Sequence, residues 1–187
     1  MRVNATQCLR DEHQVILKVI ACFEIALRKA RETDQVKREV FEPFVEFFRG
    51  FADKCHHCKE EDRLFPCLQR KGVPREGGPI GVMVQEHTVA RMRVNMIAEE
   101  LPAADSGDPV SKQTVLDHGR KFIELMRGHI DKEDHCLFGM ADEMIRNADL
   151  VALTEDYRSA ETEPGYHSTL EHCRTLGDRL VEQYGVE

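Results

Sequence analysis

Residues 56–65 read HHCKEEDRLF and residues 129–138 read HIDKEDHCLF, so both follow the pattern H-x-x-K-E-[E/D]-x-x-L-F. In each copy a His and a Glu lie four positions apart. On a helix, such residues differ by about 40° around the axis and about 6 Å along it, so both side chains reach the same point. The repeat therefore predicts two helices that each present an imidazole and a carboxylate to a common partner.

Apolar residues recur at three- and four-residue steps in four long segments, and this spacing predicts four amphipathic helices that pack at shallow angles. The inward-facing residues of each segment form an apolar stripe. Two of the stripes include the His and Glu of the repeat, and each of the other two includes a single His at a similar height in the helix. The stripes are Leu9, His13, Ile16, Ile20, Phe23, Leu27 and Ala30; Phe41, Val45, Phe48, Ala52, His56, Glu60, Leu64 and Cys67; Ile80, Met83, His87, Ala90, Val94, Ile97 and Leu101; and Val115, His118, Phe122, Leu125, His129, Glu133, Cys136 and Met140.

Turn-forming residues separate the four segments at Thr33-Asp34, at residues 72–79 (GVPREGGP) and at residues 106–109 (SGDP). Short connections favour antiparallel neighbours. We therefore expect an all-α chain with an antiparallel, up-down four-helix bundle over residues 1–146. The pattern weakens beyond this point, and residues 147–187 are expected to form a helical extension that packs on the bundle.

The composition narrows the class of protein. Lys and Arg number 26 against 34 Asp and Glu in 187 residues, a net charge of -8 without any Lys/Arg block, which is unfavourable for nucleic-acid binding. No apolar run is long enough to span a membrane, and the first residues lack the apolar core of a signal peptide. The seven cysteines are odd in number and include one CxxC, Cys55 and Cys58, without the second pair that a zinc ribbon needs. These features predict a cytoplasmic protein with no membrane or nucleic-acid partner.

Six inward-facing His and Glu side chains are expected to meet in one layer of the bundle. The helix lengths on either side of each residue place all six at similar heights, within about 10 Å of one another at 1.5 Å per residue. A buried, charged Glu without a partner is highly unfavourable, so this layer invites a cation. The six residues are His13, His56, Glu60, His87, His129 and Glu133.

Nitrogen and oxygen ligands without a thiolate suit iron or manganese more than structural zinc. Glu/His pairs that project inward from the helices of a bundle are also how di-iron carboxylate proteins hold their metals. With four His and two Glu, the economical arrangement has two metals, each bound by two imidazoles and both bridged by the two carboxylates. Such ions keep open positions for a small ligand. The alternative is a purely structural bundle in which these His are fortuitous.

With these motifs the sequence resembles the hemerythrin-like (HHE cation-binding) family over roughly residues 8 to 145. The matching features are the lone His13, His56-x-x-x-Glu60 followed by Leu64-Phe65-Pro66, Glu86-His87, His129-x-x-x-Glu133 followed by Leu137-Phe138, and GVPREGGPIGVMVQEH at residues 72–87. The resemblance implies a four-helix bundle around a non-haem di-iron centre, with manganese or zinc as substitute metals. It also implies that His13 and His129 bind one iron, that His56 and His87 bind the other, and that Glu60 and Glu133 bridge them.

The sequence departs from the oxygen-carrying hemerythrins, which have a fifth His in an H-x-x-x-H on the third helix. Here Met83 and Arg91 stand four positions before and after His87. Those proteins also have H-x-x-x-x-D on the fourth helix, which makes Asp134 an alternative bridge to Glu133, although Glu133 is favoured because it lies on the stripe. The pattern of four His and two Glu is more like members linked to iron-centre repair, iron or oxygen sensing, and peroxide or nitric oxide handling.

The remaining polar and aromatic residues have simpler interpretations. Arg91 is expected in a surface ion pair, with support of a carboxylate as the alternative. The other expectations are surface positions for His57 and His135, core positions for His118, Cys67, Cys136, Phe23, Phe48 and Phe122, and contacts near the site from the tail by His167 and His172.

The leading functional hypothesis is a di-iron protein that binds or reacts with O2, peroxide or NO, in oxidative or nitrosative stress or in iron homeostasis. No protein nucleophile or acid/base pair stands out beyond the ligands, so enzymatic turnover is left open. The rival hypothesis is an iron- or oxygen-responsive sensor that acts through a protein partner without turnover, with the tail as its contact surface.

Overall fold

The computed structural model describes residues 5–186, and every regular element in that range is helical. The predicted all-α class is confirmed, while residues 1–4 and 187, at the outer ends of the two predicted domains, lie outside the described range. The six helices are α1 (Gln7–Thr33), α2 (38–70), α3 (Pro79–Asp105), α4 (109–144), α5 (Ala148–Thr162) and α6 (Pro164–Tyr184).

Contacts at both ends of α1 and α4 hold these two helices side by side. Near the start of α1, the hydroxyl of Thr6 donates to the carboxylate of Asp142 at 2.9 Å, close to the end of α4. At the other end, Lys112 in the first turn of α4 donates to the carboxylate of Asp34 at 2.6 Å, directly after α1. The start of α4 is set locally, because the side chain of Asp108 accepts a hydrogen bond from the backbone of Ser111 at 2.7 Å.

Helices α2 and α4 each contain π-helical turns, and these turns cover most of the sequence repeat. They are Phe48–His57 and Glu60–Leu64 in α2, and Glu133–Leu137 in α4. Hydrogen bonds from residue i to i+5 place more residues in each turn, so successive side chains are separated by a smaller angle. The register of inward-facing residues therefore changes within and after each π segment.

This change of register makes one part of the predicted α4 stripe wrong. Cys136 and Met140 were expected to face inward, but both are exposed. The π turn inserts an additional residue, and Leu137 and Phe138 take the buried positions instead. Earlier in α4, His118 is half-buried rather than a core residue, because Gly119 is the residue that packs against α1 at that height.

The apolar core is divided into two clusters with a polar layer between them. The larger cluster contains a group of aromatic rings in which the centroids of Phe48 and Phe122 lie 4.5 Å apart, and Phe23 packs beside both. The expected core positions of these three residues are confirmed. The smaller cluster, hereafter the cap cluster, consists of Ala5, Leu9, Leu64, Phe65, Cys67, Leu68, Val73, Ile80, Met83, Leu137, Phe138, Ala141, Ile145, Leu153 and Tyr157.

Helix α5 packs against α2, and α6 packs against α1 and α2; α5 contributes to the cap cluster and α6 to the larger cluster. Helix α6 approaches α2 closely at two glycines. A Cβ atom on Gly50 would lie 2.3 Å from the Sγ atom of Cys173, and one on Gly177 would lie 2.9 Å from the ring of Phe47. The small residues therefore allow close helix contact, and α5 places Leu153 and Tyr157 in the cap cluster.

Candidate metal centre

All six residues that the spacing brought into one layer lie together between the two apolar clusters, each at most 1% exposed. Together with His57 they form two groups, within each of which all ligand atoms lie within 4.8 Å of one another. We name these the two-histidine group and the three-histidine group. The two-histidine group is His13, His56, Glu60 and Glu133, and the three-histidine group is His57, His87, His129 and Glu60.

The two carboxylates connect the groups. One oxygen of Glu60 lies 3.5 Å from Nε2 of His56, and the other lies 3.4 Å from Nε2 of His87. One oxygen of Glu133 lies 3.3 Å from Nε2 of His13 and 3.2 Å from Nε2 of His129. Each carboxylate therefore lies close to an imidazole of each group.

The imidazoles pair differently from what the family resemblance implied. The rings of His13 and His56 lie 4.6 Å apart between their centroids, and those of His87 and His129 lie 4.7 Å apart. The implied pairs were His13 with His129 and His56 with His87. In the structure those pairs are joined only through a carboxylate, because the imidazoles gather by neighbouring helices, α1 with α2 and α3 with α4.

His57 is a component of the site that sequence reasoning placed at the surface, and that expectation is wrong. Its side chain is buried, and its ring stacks on His87 with centroids 3.8 Å apart. The cause is the π-helical turn of α2, which lets the adjacent residues His56 and His57 both face inward. The sequence did contain one indication that this position is buried: the second copy of the repeat has an apolar residue, Ile130, in the equivalent position.

Four outer carboxylates hold the other imidazoles in orientation. The Nδ1 atom of each ring lies 2.7–3.0 Å from a carboxylate oxygen. When Nδ1–H donates this hydrogen bond, the lone pair of Nε2 is directed to the centre of the site, as is usual for metal-binding His. The pairs are His13 with Asp134, His56 with Glu12, His87 with Glu61, and His129 with Glu86. Asp134 thus lies outside the centre, and Glu133 lies inside it.

Cations neutralise these outer carboxylates in turn. Lys59 donates to Glu12 at 2.5 Å, and Lys132 donates to Glu86. Arg91 donates to Glu61 at 2.8 Å, so it supports a carboxylate, which was the less favoured of its two interpretations. Arg10 forms the fourth ion pair, with the carboxylate of Asp134 at 3.5 Å. Each of these four imidazoles is therefore held by a carboxylate, and each carboxylate is held in turn by a cationic side chain.

These contacts explain each position of the repeat. Its Lys pairs with the Glu that precedes a lone His, and its [E/D] residue holds the ring of a lone His. Its final Phe stacks on that ring, Phe138 on His13 at 5.2 Å and Phe65 on His87 at 6.0 Å. Helices α1 and α2 are thus related to α3 and α4 by an approximate two-fold pattern of contacts. The symmetry is broken where His57 corresponds to Ile130.

The electrostatics of the layer are those of a site that lacks positive charge. Burial and the neighbouring carboxylate of Glu133 raise the pKa of Glu60 well above its usual range. Burial opposes the charged form of Glu133, but His129 and His13 more than compensate and hold its pKa well below the usual range. Burial lowers the pKa of His56 to about 4, whereas for His129 the carboxylates outweigh burial and raise the pKa to about 9. Burial thus opposes a second negative charge in this layer, and a metal cation would supply the positive charge that stabilises both carboxylates.

Unpartnered polar atoms point to the same conclusion. Among residues 5–186, the buried Nε2 atoms of His13 and His56, both ring nitrogens of His57 and all four carboxylate oxygens of Glu60 and Glu133 have no hydrogen-bond partner. Buried polar atoms are nearly always paired, because leaving them unpaired is unfavourable. Their convergence on two points, with nitrogen and oxygen donors alone, fits two cations of the iron or manganese type.

The tail contributes different residues from those expected. His172 contacts Glu46 at 2.8 Å on the surface, and His167 is exposed, so the expected contacts of these two His near the site are wrong. Instead, Glu161 of α5 accepts a hydrogen bond from Lys59 at 2.5 Å. The hydroxyl of Tyr166 in α6 donates to the backbone carbonyl of Cys55 at 2.6 Å. No sequence pattern predicts these contacts, because they depend on how the C-terminal helices pack against α2.

Comparisons with known proteins also indicate a cation-binding domain. The family model described as Hemerythrin HHE cation binding domain matches residues 4–141. The uncharacterized proteins Rv1995 of Mycobacterium tuberculosis and Mb2018 of Mycobacterium bovis are each 20% identical over 182 residues, which cover 95% of this chain and 71% of each relative. No solved structure matches the chain significantly. Within residues 5–186, none of the helices has the length and apolar character needed to cross a membrane.

Proposed function

We propose that the chain, which belongs to the hemerythrin HHE cation-binding family, holds two iron ions and binds or reacts with a small ligand such as O2, peroxide or NO. The observation that carries the proposal is the pair of buried His/Glu groups joined by Glu60 and Glu133. Manganese and zinc are the substitute metals that such nitrogen and oxygen donors also accept. The seven cysteines are free thiols and lie outside both groups, which supports a reducing, cytoplasmic setting.

The two groups support different roles. His57, His87 and His129 give one metal three imidazoles, whereas His13 and His56 give the other metal two. Glu60 and Glu133 would bridge both. Because the two-histidine group offers fewer imidazoles, a metal held there would be the one with a position open to an exogenous ligand. Iron held in this way supplies redox and Lewis-acid chemistry toward small oxygen and nitrogen species.

The rest of the chain keeps the site dry and rigid. The larger apolar cluster closes one side of the polar layer and the cap cluster closes the other. The outer carboxylates fix each imidazole, and the cations fix the carboxylates. We also propose that α1 to α4 follow the antiparallel, up-down path. The short connections and the contacts of Thr6 with Asp142 and of Lys112 with Asp34 support this path.

A second candidate function is an iron- or oxygen-responsive sensor that acts through a protein partner without turnover. The observation that favours it is the chain of contacts from His56 through Glu12 and Lys59 to Glu161 on α5. A change at the metal could pass along this chain to the tail. Consumption of peroxide by the iron-loaded protein favours the reactive function. A large metal-dependent change in amide hydrogen exchange of α5, without turnover, favours the sensor.

The first test is the metal content of protein purified without added metal. We expect about two iron ions per chain, one for each group, with charge-transfer absorption in the near ultraviolet. His13→Ala should lower both the iron content and the stability of the purified protein. Protein that contains no metal, together with a His13→Ala variant of unchanged stability, would contradict the proposal.

A second test addresses His57, with Ile130 of the second repeat as the guide. In His57→Ile the side chain keeps its packing but loses its nitrogen atoms. We expect the affinity for one of the two metals to fall by at least tenfold, since even outer contacts of metal-binding His contribute 10- to 100-fold. The measurement is the rate of iron loss to a chelator. The control is His135→Ala, which alters a surface residue, and equal rates in the two variants would exclude His57 from the ligand set.

A further inference from the structure

Tyr157 is a buried residue for which the bundle has no evident use. It lies on α5, beyond the span that the family model matches, and it is 5% exposed within the cap cluster. Among residues 5–186 its hydroxyl group has no hydrogen-bond partner. A buried hydroxyl without a partner is unfavourable, and a Phe would fill the same space without that cost. We therefore expect the hydroxyl group to have a hydrogen-bond partner that is present only when the protein has bound its metal and ligand.

Helix α5, which carries Tyr157, packs against the π-helical turn Glu60–Leu64 of α2, and this turn supplies Glu60 to the two-histidine group. Burial raises the pKa of Tyr157 well above the usual range, and Cys8, Glu60, Glu12 and Cys67 add to that rise. All four residues belong to α1 or α2, the helices that carry His13 and His56 of the two-histidine group. The phenol thus stays protonated and remains a hydrogen-bond donor on the helix that packs against this side of the metal layer.

Contacts on either side of Tyr157 fix the rotation of α5 about its axis, so that the Tyr157 side chain faces the bundle. Leu153, one turn before Tyr157, is buried in the cap cluster. Glu161, one turn after it, accepts a hydrogen bond from Lys59, which also donates to Glu12. Residues four apart lie on the same helix face, so an apolar contact and an ion pair hold the Tyr157 side chain between them.

We propose that the Tyr157 hydroxyl donates a hydrogen bond to a small anionic ligand, of the size of azide or peroxide, that binds in the two-histidine group. The inference rests on the proposed function, because it requires the metal and its open position. A neutral phenol suits this role, since it supplies a donor without adding negative charge beside Glu60 and Glu133. It also gives the C-terminal helices a direct part in ligand selection.

The test is a titration of iron-loaded protein with azide, followed by charge-transfer absorption, after the iron content has been measured. We expect Tyr157→Phe to keep its iron and to raise the Kd for azide about ten- to hundredfold, the usual loss for a hydrogen bond to a charged group. The metal-free variant should melt at or above the temperature of the parent, because it no longer buries an unpaired hydroxyl. The matched control is Tyr166→Phe, whose hydroxyl already donates to Cys55, and its Kd for azide should not change.

An unchanged azide affinity in iron-loaded Tyr157→Phe would overturn the inference and leave the proposed function intact. Absence of iron from the parent protein would overturn both. If the variant does not retain iron, the infrared stretch of azide bound to the parent protein decides the matter. A shift of that band between H2O and D2O supports a donor at the ligand, and an unshifted band excludes one.

Discussion

The Glu60→Gln variant is expected to lose the ability to retain both metals while its metal-free fold remains at least as stable as that of the parent. Among residues 5–186, Glu60 is the one residue that belongs to both groups. Its two oxygens face His56 and His87, so its replacement removes a bridge from both metals at once. An amide offers one weak oxygen donor in place of two charged ones, and it cannot bridge two cations.

The metal-free stability moves in the opposite direction for an electrostatic reason. Burial and Glu133 raise the pKa of Glu60, which shows that a second buried carboxylate is unfavourable there. A neutral amide of the same shape relieves this repulsion. A residue whose removal stabilises the empty protein and weakens the loaded one is a ligand and not a structural group.

The measurement is thermal unfolding with and without Fe(II) under anaerobic conditions. A metal at 100 times its Kd stabilises the folded state by about 2.7 kcal/mol. For a chain of this size, that corresponds to a rise in Tm of about 5–10 °C in the parent, against almost none in Glu60→Gln. The control is Glu61→Gln, which removes an outer contact of His87 and should keep a reduced response. Equal metal responses in parent and Glu60→Gln would exclude Glu60 as a ligand.

The parts of this site that sequence alone could predict are those that follow a regular helical period. The stripes of α1 and α3 are buried as expected, because three- and four-residue steps describe an α-helix. The α2 stripe is also buried, although part of it lies in π-helical turns. From the α-helical period we predicted that His13 and His87 face the same layer as the His and Glu residues of the repeat. The spacing also favoured Glu133 over Asp134, and the structure directs Glu133 to the centre of the site.

The errors arise where the backbone leaves the α-helical period. Cys136 was placed inside and His57 outside, and both lie in or beside π-helical turns that no hydrophobic pattern reveals. The π-helical turn of α2 lets two adjacent residues, His56 and His57, both face the metal layer, one in each group. A second class of error concerns docking, because the approach of Glu161 to the site depends on the packing of α5 against α2 and not on any local signal.

The Lys59→Met variant is expected to lose about 3–5 kcal/mol of stability, the usual cost of leaving buried charge without its partner. Lys59 is 1% exposed and lies between Glu12 of α1 and Glu161 of α5. Burial opposes its charge, but these two carboxylates more than compensate and raise its pKa, so it is an ammonium ion in the folded protein. Met has a similar length and keeps the packing, so the variant isolates the loss of charge.

The two-fold pattern of the site provides the control for this variant. Lys132 occupies the same position in the second repeat and contacts Glu86, but its side chain is 44% exposed. Water can solvate Glu86 when Lys132 is removed, so Lys132→Met should cost less than about 1 kcal/mol. Urea unfolding of both metal-free variants measures the difference. Equal losses would show that the burial of Lys59 does not matter and that α5 is held by its apolar contacts alone.

The same pair of variants separates a structural role of the tail from a role at the metal. Glu12 holds Nδ1 of His56, and Glu86 holds Nδ1 of His129 in the equivalent way. If Lys59 serves the metal through Glu12, the Lys59→Met variant will release one iron to a chelator faster than Lys132→Met does, at temperatures where both are fully folded. If Lys59 only anchors α5, iron release will be the same in both variants while hydrogen exchange in residues 148–162 increases in Lys59→Met alone.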